Sequence, residues 1–289
     1  MQIGLIGCGN MGGGMARHML SSGCGLVCYD PSPTIRKDMQ TAGAEVTTSE
    51  AEVARAVEIV ILSLPKASVV ESVMAVIAPH LVQGAVVLDT STSEPGTSQA
   101  MAALGKEHGF DFVDGPVSGG PAAANTGTMT MLLGGDATAI EKLRPVLDIL
   151  TSKTVVVGGS GAGHAAKIVN NMLCAANLVL VAEAVRLGAA AGVRADDLLE
   201  GINAGSGRSG VSEVNFPKWV LNDAFDSGFT MGLMRKDVGL ALKLAKTSGV
   251  DLAGFDRIAD LWLRGSEHIP DEADFNAIVG YNEKGQTHG

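Results

Sequence analysis

Aromatic residues are scarce in this chain: they make up only 4% of its 289 residues. Small and branched aliphatic residues must therefore form the core, and a hydrophobic share of 46% is enough to bury one. Glycine is plentiful, with 38 residues, nearly twice the usual share of about 7%. The glycines follow no G-X-Y period, which excludes a collagen-like chain.

Positive charge is also scarce, because 21 basic residues face 31 acidic ones and the formal net charge is −10. Binding to a nucleic-acid backbone needs a basic face, so we expect no nucleic-acid partner. The basic residues are scattered and form no basic amphipathic helix. The most apolar stretch, 165–193, contains charged and amide side chains, so we also expect no membrane partner.

Cysteine is rare, and the four cysteines form neither a C-x-x-C pair nor a zinc-ligand pattern with histidine. We therefore expect no metal site and interpret Cys8, Cys24, Cys28 and Cys174 as free thiols of a reducing compartment. A strand is predicted from the second residue, with no signal peptide before it, which favours a cytoplasmic protein.

Short apolar runs alternate with helical patterns in the first half of the chain. The runs predict strands at 3–6, 25–29, 58–63, 85–88, 111–113, 129–133 and 154–157. Helices are predicted at 10–21, 34–40, 68–77 and 99–108. This alternation is typical of an α/β fold with a Rossmann-type, doubly wound, mostly parallel sheet buried on both faces.

The pattern changes at the glycine cluster 158–161. We predict a dinucleotide-binding domain over 1–160 and an all-α substrate and oligomerisation domain over 161–289. A long helix over 163–192 joins them, and further helices are predicted at 195–202 and 231–247. The long helix is apolar on most faces, which is typical of burial between subunits and predicts a homodimer or homotetramer.

A glycine-rich hexapeptide, Gly-Cys-Gly-Asn-Met-Gly, separates the first predicted strand from the first predicted helix. In that context a G-x-G-x-x-G pattern is typical of a dinucleotide-binding loop. Gly7 permits the tight turn, Gly9 lets the backbone approach a pyrophosphate, and Gly12 lets helix and strand pack closely. Asn10 and Met11 begin the helix, whose N–H groups face the phosphates.

An acidic residue, Asp30, ends the second predicted strand. A carboxylate at this place binds the ribose hydroxyls of the cofactor and repels a 2′-phosphate, which predicts NAD rather than NADP. Arg36 follows closely and could weaken that preference, so NADP stays possible. A plain turn residue before Pro31 is the alternative interpretation of Asp30.

Two later segments carry candidate chemistry. Ser118, Gly119 and Gly120 offer a hydroxyl and N–H groups that can form a concavity for a carboxylate, although a plain glycine turn is the alternative. Lys167 and Asn171 lie four residues apart on an apolar helix and therefore share one face. A lysine near a substrate oxygen can donate or accept a proton; a snorkelling lysine and a structural amide are the alternative.

A histidine precedes that lysine by three residues and could serve as an acid or a base. We interpret His164 instead as a residue of the helix start.

Taken in order over 1–280, these motifs resemble the β-hydroxyacid dehydrogenase family, the group of 3-hydroxyisobutyrate dehydrogenase and tartronate semialdehyde reductase. The resemblance adds cofactor-binding residues: Leu64 and Pro65 beside the cofactor, Thr92 near the nicotinamide, and Phe229 and Lys236 in a late F-x(6)-K-D pattern. It places Asp237, the last residue of that pattern, at the substrate.

The resemblance also implies a mechanism, in which hydride passes between the cofactor and a small hydroxy acid. Lys167 would be the general acid and base, and Asn171 would position the substrate oxygen. Ser118, Gly119 and Gly120 would bind the substrate carboxylate.

The segment Gly205–Gly210 departs from the family pattern, because it is unusually rich in glycine. Its Arg208 could bind a second anionic group of the substrate, or it could be a plain exposed arginine. Two other functions stay open: an NADPH-dependent reductase of glyoxylate/succinic or tartronate semialdehyde, and a dinucleotide-binding protein without turnover. Imine reductases usually lack the lysine, and 6-phosphogluconate dehydrogenases have a much larger helical domain.

Overall fold

The computed structural model describes residues 1–281. The chain divides into two compact units, the first over Met1–Lys167 and the second from Ile168 onward. The first unit contains nine strands: β1 (Gln2–Ile6), β2 (Gly25–Tyr29), β3 (Glu45–Val46), β4 (Ile59–Leu62), β5 (Val86–Asp89), β6 (Asp111–Asp114), β7 (Val117–Ser118), β8 (Met129–Gly134) and β9 (Thr151–Gly158). Its helices are α1 (Asn10–Ser21), α2 (Pro33–Thr41), α3 (Glu50–Ala56), α4 (Ala67–Ile77), α5 (Pro95–His108), α6 (Gly120–Thr126), α7 (Ala137–Lys142) and α8 (Arg144–Leu150). A 3₁₀ turn, Ala78–His80, follows α4.

The nine strands form one sheet in the order β3-β2-β1-β4-β5-β6-β8-β7, and β9 pairs with β8. Strands β1 to β6 pair in parallel, whereas β8 is antiparallel to β6 and to β7. The predicted mostly parallel sheet is therefore confirmed. The strand order reverses between β1 and β4, and ligands of open α/β sheets bind at the carboxyl ends of the strands at such a point.

Aliphatic side chains fill both sides of the central strands. Leu5, Val60, Ile61 and Val87 are fully buried, and each such side chain stabilises the fold by about 1.5–3 kcal/mol. The expected burial on both faces fails at β9, where most residues are exposed or half-buried and Val156 is 58% exposed. The cause is its position in the sheet, because β9 pairs with β8 outside the consecutive order of the other eight strands and is covered less than the central strands.

The second unit is helical. Its elements are the continuation of α9 (Ala162–Ala190), α10 (Ala195–Ala204), a π-helix (Val211–Val220), α11 (Met231–Ser248), α12 (Ala253–Arg264) and two 3₁₀ turns (Gly265–Glu267 and Phe275–Gly280). Trp262 is fully buried and donates its indole N–H to the carbonyl of Ala175 at 3.2 Å. Arg235, also buried, donates to the carbonyls of Trp262 and Ile269, which ties α11 to α12 and to the chain after it.

Helix α9 is long and apolar enough, by length and composition alone, to cross a membrane. Six of its residues, among them Ile168, Ala175 and Leu178, belong to the hydrophobic core of the second unit. A core helix of a protein without membrane spans passes the same test of length and composition.

Candidate functional site

The glycines of the loop between β1 and α1 differ in what surrounds them. Gly7 has a φ of +90°, and a Cβ on it would lie 2.4 Å from the carbonyl oxygen of Ser63. A Cβ on Gly12 would lie 2.0 Å from the carbonyl oxygen of Gly7, so helix and strand pack too closely for a side chain. A Cβ on Gly9 would meet nothing within 4 Å. The backbone at Gly9 is therefore open to the close approach of a ligand such as a pyrophosphate.

Helix α1 begins next to that space without a capping side chain at Gly9. The first helical backbone bond runs from Gly13 N–H to the Gly9 carbonyl at 2.6 Å. The N–H groups of Asn10 and Met11 precede this bond, and the first N–H groups of a helix have no partner within it. These groups and the helix dipole can bind an anion.

Asp30 lies beside this loop, at the end of β2. Its carboxylate accepts one hydrogen bond from the Cys8 N–H and one from the Ser32 N–H, both at 2.9 Å. The guanidinium of Arg36 donates to the carbonyls of Asp30 and Pro31 at 2.6 and 3.1 Å. The acidic group is thus fixed where the ribose of a dinucleotide is expected, with the arginine held at the same strand end.

The loops after β4 and β5 adjoin the glycine loop. The methyl carbon Cδ2 of Leu64 is 3.1 Å from the place of a Cβ on Gly7, and the Leu64 N–H donates to the Ser91 hydroxyl at 3.0 Å. Pro65 is exposed, and Thr92, the residue after Ser91, is half-buried. The structure therefore brings four predicted cofactor segments to the carboxyl ends of β1, β2, β4 and β5.

The predicted lysine and the predicted carboxylate loop also meet in the first unit. Lys167 is 7% exposed, and its ammonium Nζ donates to the Ser118 hydroxyl at 2.9 Å. The two residues after Ser118 have left-handed backbone, with φ of +120° at Gly119 and +65° at Gly120. A buried cation thus faces a hydroxyl whose neighbours are glycines.

Helix α9 is fixed at its start by an aspartate that sequence reasoning did not single out as a site residue. Asp114 is fully buried at the end of β6, and its two carboxylate oxygens accept the N–H groups of Gly161 and His164 at 2.7 and 3.0 Å. An acidic side chain at a helix start stabilises the helix and its dipole. A buried aspartate that ends a strand of a parallel sheet is the signal that could have identified it. His164 lies in the first turn of α9, as expected.

A second polar cluster lies on α9 and α11 within the second unit. The Asn171 amide donates to the buried Asp237 carboxylate at 2.5 Å and accepts from the Asn170 amide at 3.1 Å. The Lys236 ammonium is 3.3 Å from the other Asp237 oxygen. Asp237 therefore orients the amide of Asn171. This contact between the two residues was not predicted from the sequence.

The remaining predicted residues of the second unit lie in two other segments. Phe229, just before α11, packs edge-on against Phe275 with ring centres 5.2 Å apart. Arg208 is exposed in the glycine-rich loop, and its guanidinium is 3.7 Å from the Glu213 carboxylate. Over residues 1–281 no group of three or more His, Cys, Asp or Glu side chains could hold a metal ion.

Comparison with known proteins gives this arrangement a family. Residues 2–159 match the family model of the NAD-binding domain of 6-phosphogluconate dehydrogenase, and residues 161–282 match that of the NAD-binding domain of NADP-dependent 3-hydroxyisobutyrate dehydrogenase. The 2-(hydroxymethyl)glutarate dehydrogenase of Eubacterium barkeri is 37% identical, over 87% of this chain and 85% of that protein. The NAD-dependent L-serine dehydrogenase of Pseudomonas aeruginosa is 36% identical, over 86% of each.

A solved structure agrees. The 3-hydroxyisobutyrate dehydrogenase of Mycobacterium tuberculosis with L-serine is 30% identical and has a TM-score of 0.91, over 96% of this chain and 97% of that one. The chain belongs to the β-hydroxyacid dehydrogenase family. It is an NAD(P)-dependent hydroxyacid dehydrogenase with NAD or NADP as cofactor. Imine reductases such as that of Streptomyces aurantiacus, 23% identical with a TM-score of 0.63, share the fold.

The residues of this β-hydroxyacid dehydrogenase fit a bound dinucleotide. The open space at Gly9, the uncapped start of α1 and the carboxylate of Asp30 provide room, N–H donors and a ribose acceptor. The NAD-binding domains indicated by the comparisons are in agreement with that geometry.

Proposed function

We propose that this β-hydroxyacid dehydrogenase acts on a small β-hydroxy acid similar to 3-hydroxyisobutyrate, with NAD as its preferred cofactor. One observation carries the proposal: the buried Lys167 ammonium donates to Ser118 at 2.9 Å. If Ser118, Gly119 and Gly120 bind a carboxylate, then a hydroxyl at Lys167 must be only a few bonds away from it. Small β-hydroxy acids satisfy that spacing.

In this proposal the protein positions the substrate and moves one proton. The nicotinamide cofactor, when bound, supplies the hydride chemistry. In carbonyl reduction the Lys167 ammonium gives a proton to the substrate oxygen and becomes the neutral amine, and in alcohol oxidation that neutral amine accepts the hydroxyl proton at Nζ. The amide of Asn171, oriented by Asp237, holds the reacting oxygen in this assignment.

The preference for NAD is supported by Asp30. The residue is 7% exposed and its carboxylate is fixed by two backbone N–H groups, so it cannot easily turn away from a 2′-phosphate. Arg36, the residue that could favour NADP, is engaged with two backbone carbonyls. We assign Gly7, Gly9, Asn10, Met11, Gly12, Leu64, Pro65, Thr92, Phe229 and Lys236 to the cofactor site.

The domain roles and the assembly belong to the same proposal. Residues 1–160 bind the dinucleotide, and residues 161–289 serve the substrate and oligomerisation. Apolar side chains of α9, such as Leu173 at 53% and Leu187 at 74% exposure, support a homodimer or homotetramer. The net charge of −10 and its scattered basic residues support a cytoplasmic protein without a membrane or nucleic-acid partner. Light scattering at micromolar concentration measures the assembly directly.

The substrate carries one carboxylate in this proposal. L-Serine and 3-hydroxyisobutyrate, which appear in the names of relatives, are small acids of that kind, whereas 2-(hydroxymethyl)glutarate carries a second carboxylate. Arg208, the side chain considered for a second anion, already faces Glu213.

The test is the substitution Lys167→Ala, with the exposed Lys153→Ala as control. We expect kcat/KM for the best acid of a screen with NAD (3-hydroxyisobutyrate, L-serine, glycerate, 2-(hydroxymethyl)glutarate) to fall about 100- to 10,000-fold. NAD binding, measured by tryptophan fluorescence, stays unchanged in both variants. Turnover equal to that of the parent protein in Lys167→Ala refutes the assigned role of the lysine. A best substrate with two carboxylates refutes the substrate class.

A further inference from the structure

A fully buried histidine connects the segments that carry the candidate chemistry of the first unit. His164 is 0% exposed and lies in the first turn of α9, three residues before Lys167. Its ring nitrogen Nε2 is 2.9 Å from the carbonyl oxygen of Ser91, and Nδ1 is 2.7 Å from the hydroxyl of Ser98. One ring therefore joins α9 to the loop after β5 and to α5.

The chemistry of these partners assigns the ring protons. A carbonyl oxygen can only accept, so Nε2 carries a hydrogen and donates it to Ser91. In the neutral ring Nδ1 then accepts from the Ser98 hydroxyl. The carboxylate oxygen Oδ2 of the buried Asp89 is 3.9 Å from Nε2, too far for a hydrogen bond, and has no hydrogen-bond partner within residues 1–281.

The connection extends to the cofactor loops. The Ser91 hydroxyl accepts from the Leu64 N–H, and the Ser91 N–H donates to the Asp89 carboxylate. Thr92 follows Ser91 directly. Through Ser91, His164 is thus connected to the loop of Leu64 and to the loop of Thr92. The helix of His164 also carries Lys167.

We infer that His164 is a positioning residue that fixes the loop of Thr92 relative to Lys167. The inference builds on the proposed function, which assigns Thr92 to the cofactor that supplies the hydride chemistry and places proton transfer at Lys167. Both transfers must occur on one substrate carbon–oxygen bond, so their relative position has to be exact to well under about 1 Å. The ring is fully buried and both of its nitrogens are hydrogen-bonded within the protein, so it acts through these hydrogen bonds.

The experiment compares His164→Leu, His164→Gln and Ser98→Ala with the parent protein, and uses the exposed His108→Leu as control. The glutamine amide can donate to Ser91 and accept from Ser98, whereas leucine can do neither. Three readouts are taken on folded protein below its Tm: kcat, the NAD dissociation constant, and the deuterium isotope effect on kcat. The isotope effect is measured with the best acid of the screen above, deuterated at the carbon that loses hydride.

In His164→Leu we expect kcat to fall about 10- to 100-fold and the isotope effect to increase, because misplacement slows the chemical step itself. In His164→Gln we expect kcat to recover to within about threefold of the parent protein. In Ser98→Ala we expect a smaller fall in kcat than in His164→Leu, with a correspondingly smaller increase in the isotope effect. We expect NAD affinity to change less than kcat, since the glycine loop and Asp30 are untouched and only the loops of Leu64 and Thr92 can shift.

A purely structural histidine would lower Tm without changing kcat or the isotope effect of the folded protein, and that result overturns the inference. A glutamine variant as slow as the leucine variant overturns it too. If His164→Leu does not fold, Ser98→Ala alone tests the inference. An unchanged kcat and an unchanged isotope effect in Ser98→Ala then overturn it. Lys167→Ala is measured in parallel: normal turnover in that variant rejects the role of Lys167, whereas the isotope effect reports hydride transfer whichever group moves the proton.

Discussion

The glycine loop and the lysine site of the first unit are built by opposite means. The loop depends on backbone conformation within six residues, where Gly7 and Gly12 lack the room for a side chain and Gly9 leaves space for a ligand. The lysine site depends on side chains far apart in sequence, because Lys167 bonds to a residue 49 positions away and its helix is fixed by one 47 positions before Gly161. A substitution in the glycine loop should therefore weaken NAD binding, whereas a substitution around Lys167 should slow the chemical step of the reaction.

The largest effect expected beyond the lysine itself comes from Gly12→Ala. A Cβ 2.0 Å from the Gly7 carbonyl must displace α1 from β1, which moves the N–H groups of the helix start. We expect the NAD dissociation constant to increase at least about 100-fold and the free energy of unfolding to fall by about 1–3 kcal/mol.

Gly9→Ala is the matched control for that change. A Cβ there meets no protein atom, and the φ of −65° suits alanine, so stability should stay within about 0.5 kcal/mol. NAD binding should still weaken, because the methyl group occupies the cofactor space. Titration calorimetry measures the loss of NAD binding, and urea denaturation measures the loss of stability. If Gly9→Ala lost as much stability as Gly12→Ala, the two glycines would not differ in the room they leave for a side chain.

Asp30→Asn tests whether the loop discriminates between cofactors by charge. Removing the carboxylate removes the repulsion of a 2′-phosphate and weakens the bond to the ribose, so the ratio of kcat/KM for NAD over NADP should fall about 10- to 100-fold. Arg36→Gln is the companion variant and should increase the same ratio if the arginine attracts the phosphate. A parent protein that already prefers NADP, or a ratio unchanged in Asp30→Asn, would show that another residue decides.

Asp237→Asn tests whether side-chain positioning extends to the second unit. The Asp237 carboxylate fixes which end of the Asn171 amide donates, and its neutral isostere can present either group. We expect kcat/KM for the acid substrate to fall about tenfold, with a much smaller change in NAD affinity. The exposed Asp256→Asn is the control. A fall confined to NAD affinity would instead place Asp237 with the cofactor.

The same contrast explains what could be predicted from the sequence. The β1–α1–β2 segment was predicted to within one residue, because apolar runs and glycine spacing are local signals that survive without knowledge of the fold. The short helices α3, α6, α7 and α8 and the π-helix, which contains Pro217, were not predicted, since few residues give each of them a periodic pattern. The contact of Asn171 with Asp237 spans 66 positions and arises only from packing.

The smallest effect concerns Asp89, a carboxyl that the side-chain network buries completely. Burial raises its pKa, and the nearby His164 and the Ser91 hydrogen bonds only partly offset this. A carboxyl with a raised pKa in the fold contributes most stability below the unfolded pKa of about 3.9 and loses that contribution as pH rises through the folded value. Asparagine cannot ionise, and its oxygen can still accept the Ser91 N–H.

We therefore expect Asp89→Asn to be more stable than the parent protein by about 1 kcal/mol at pH 7, with the difference vanishing near pH 4. Urea denaturation from pH 4 to 8 measures it, with the exposed Asp38→Asn as control. A variant that is less stable at neutral pH would show that the charged carboxylate stabilises His164 more than its burial costs. The polar network around the lysine would then be held together by charge as well as by hydrogen bonds, in contrast to the uncharged backbone of the glycine loop.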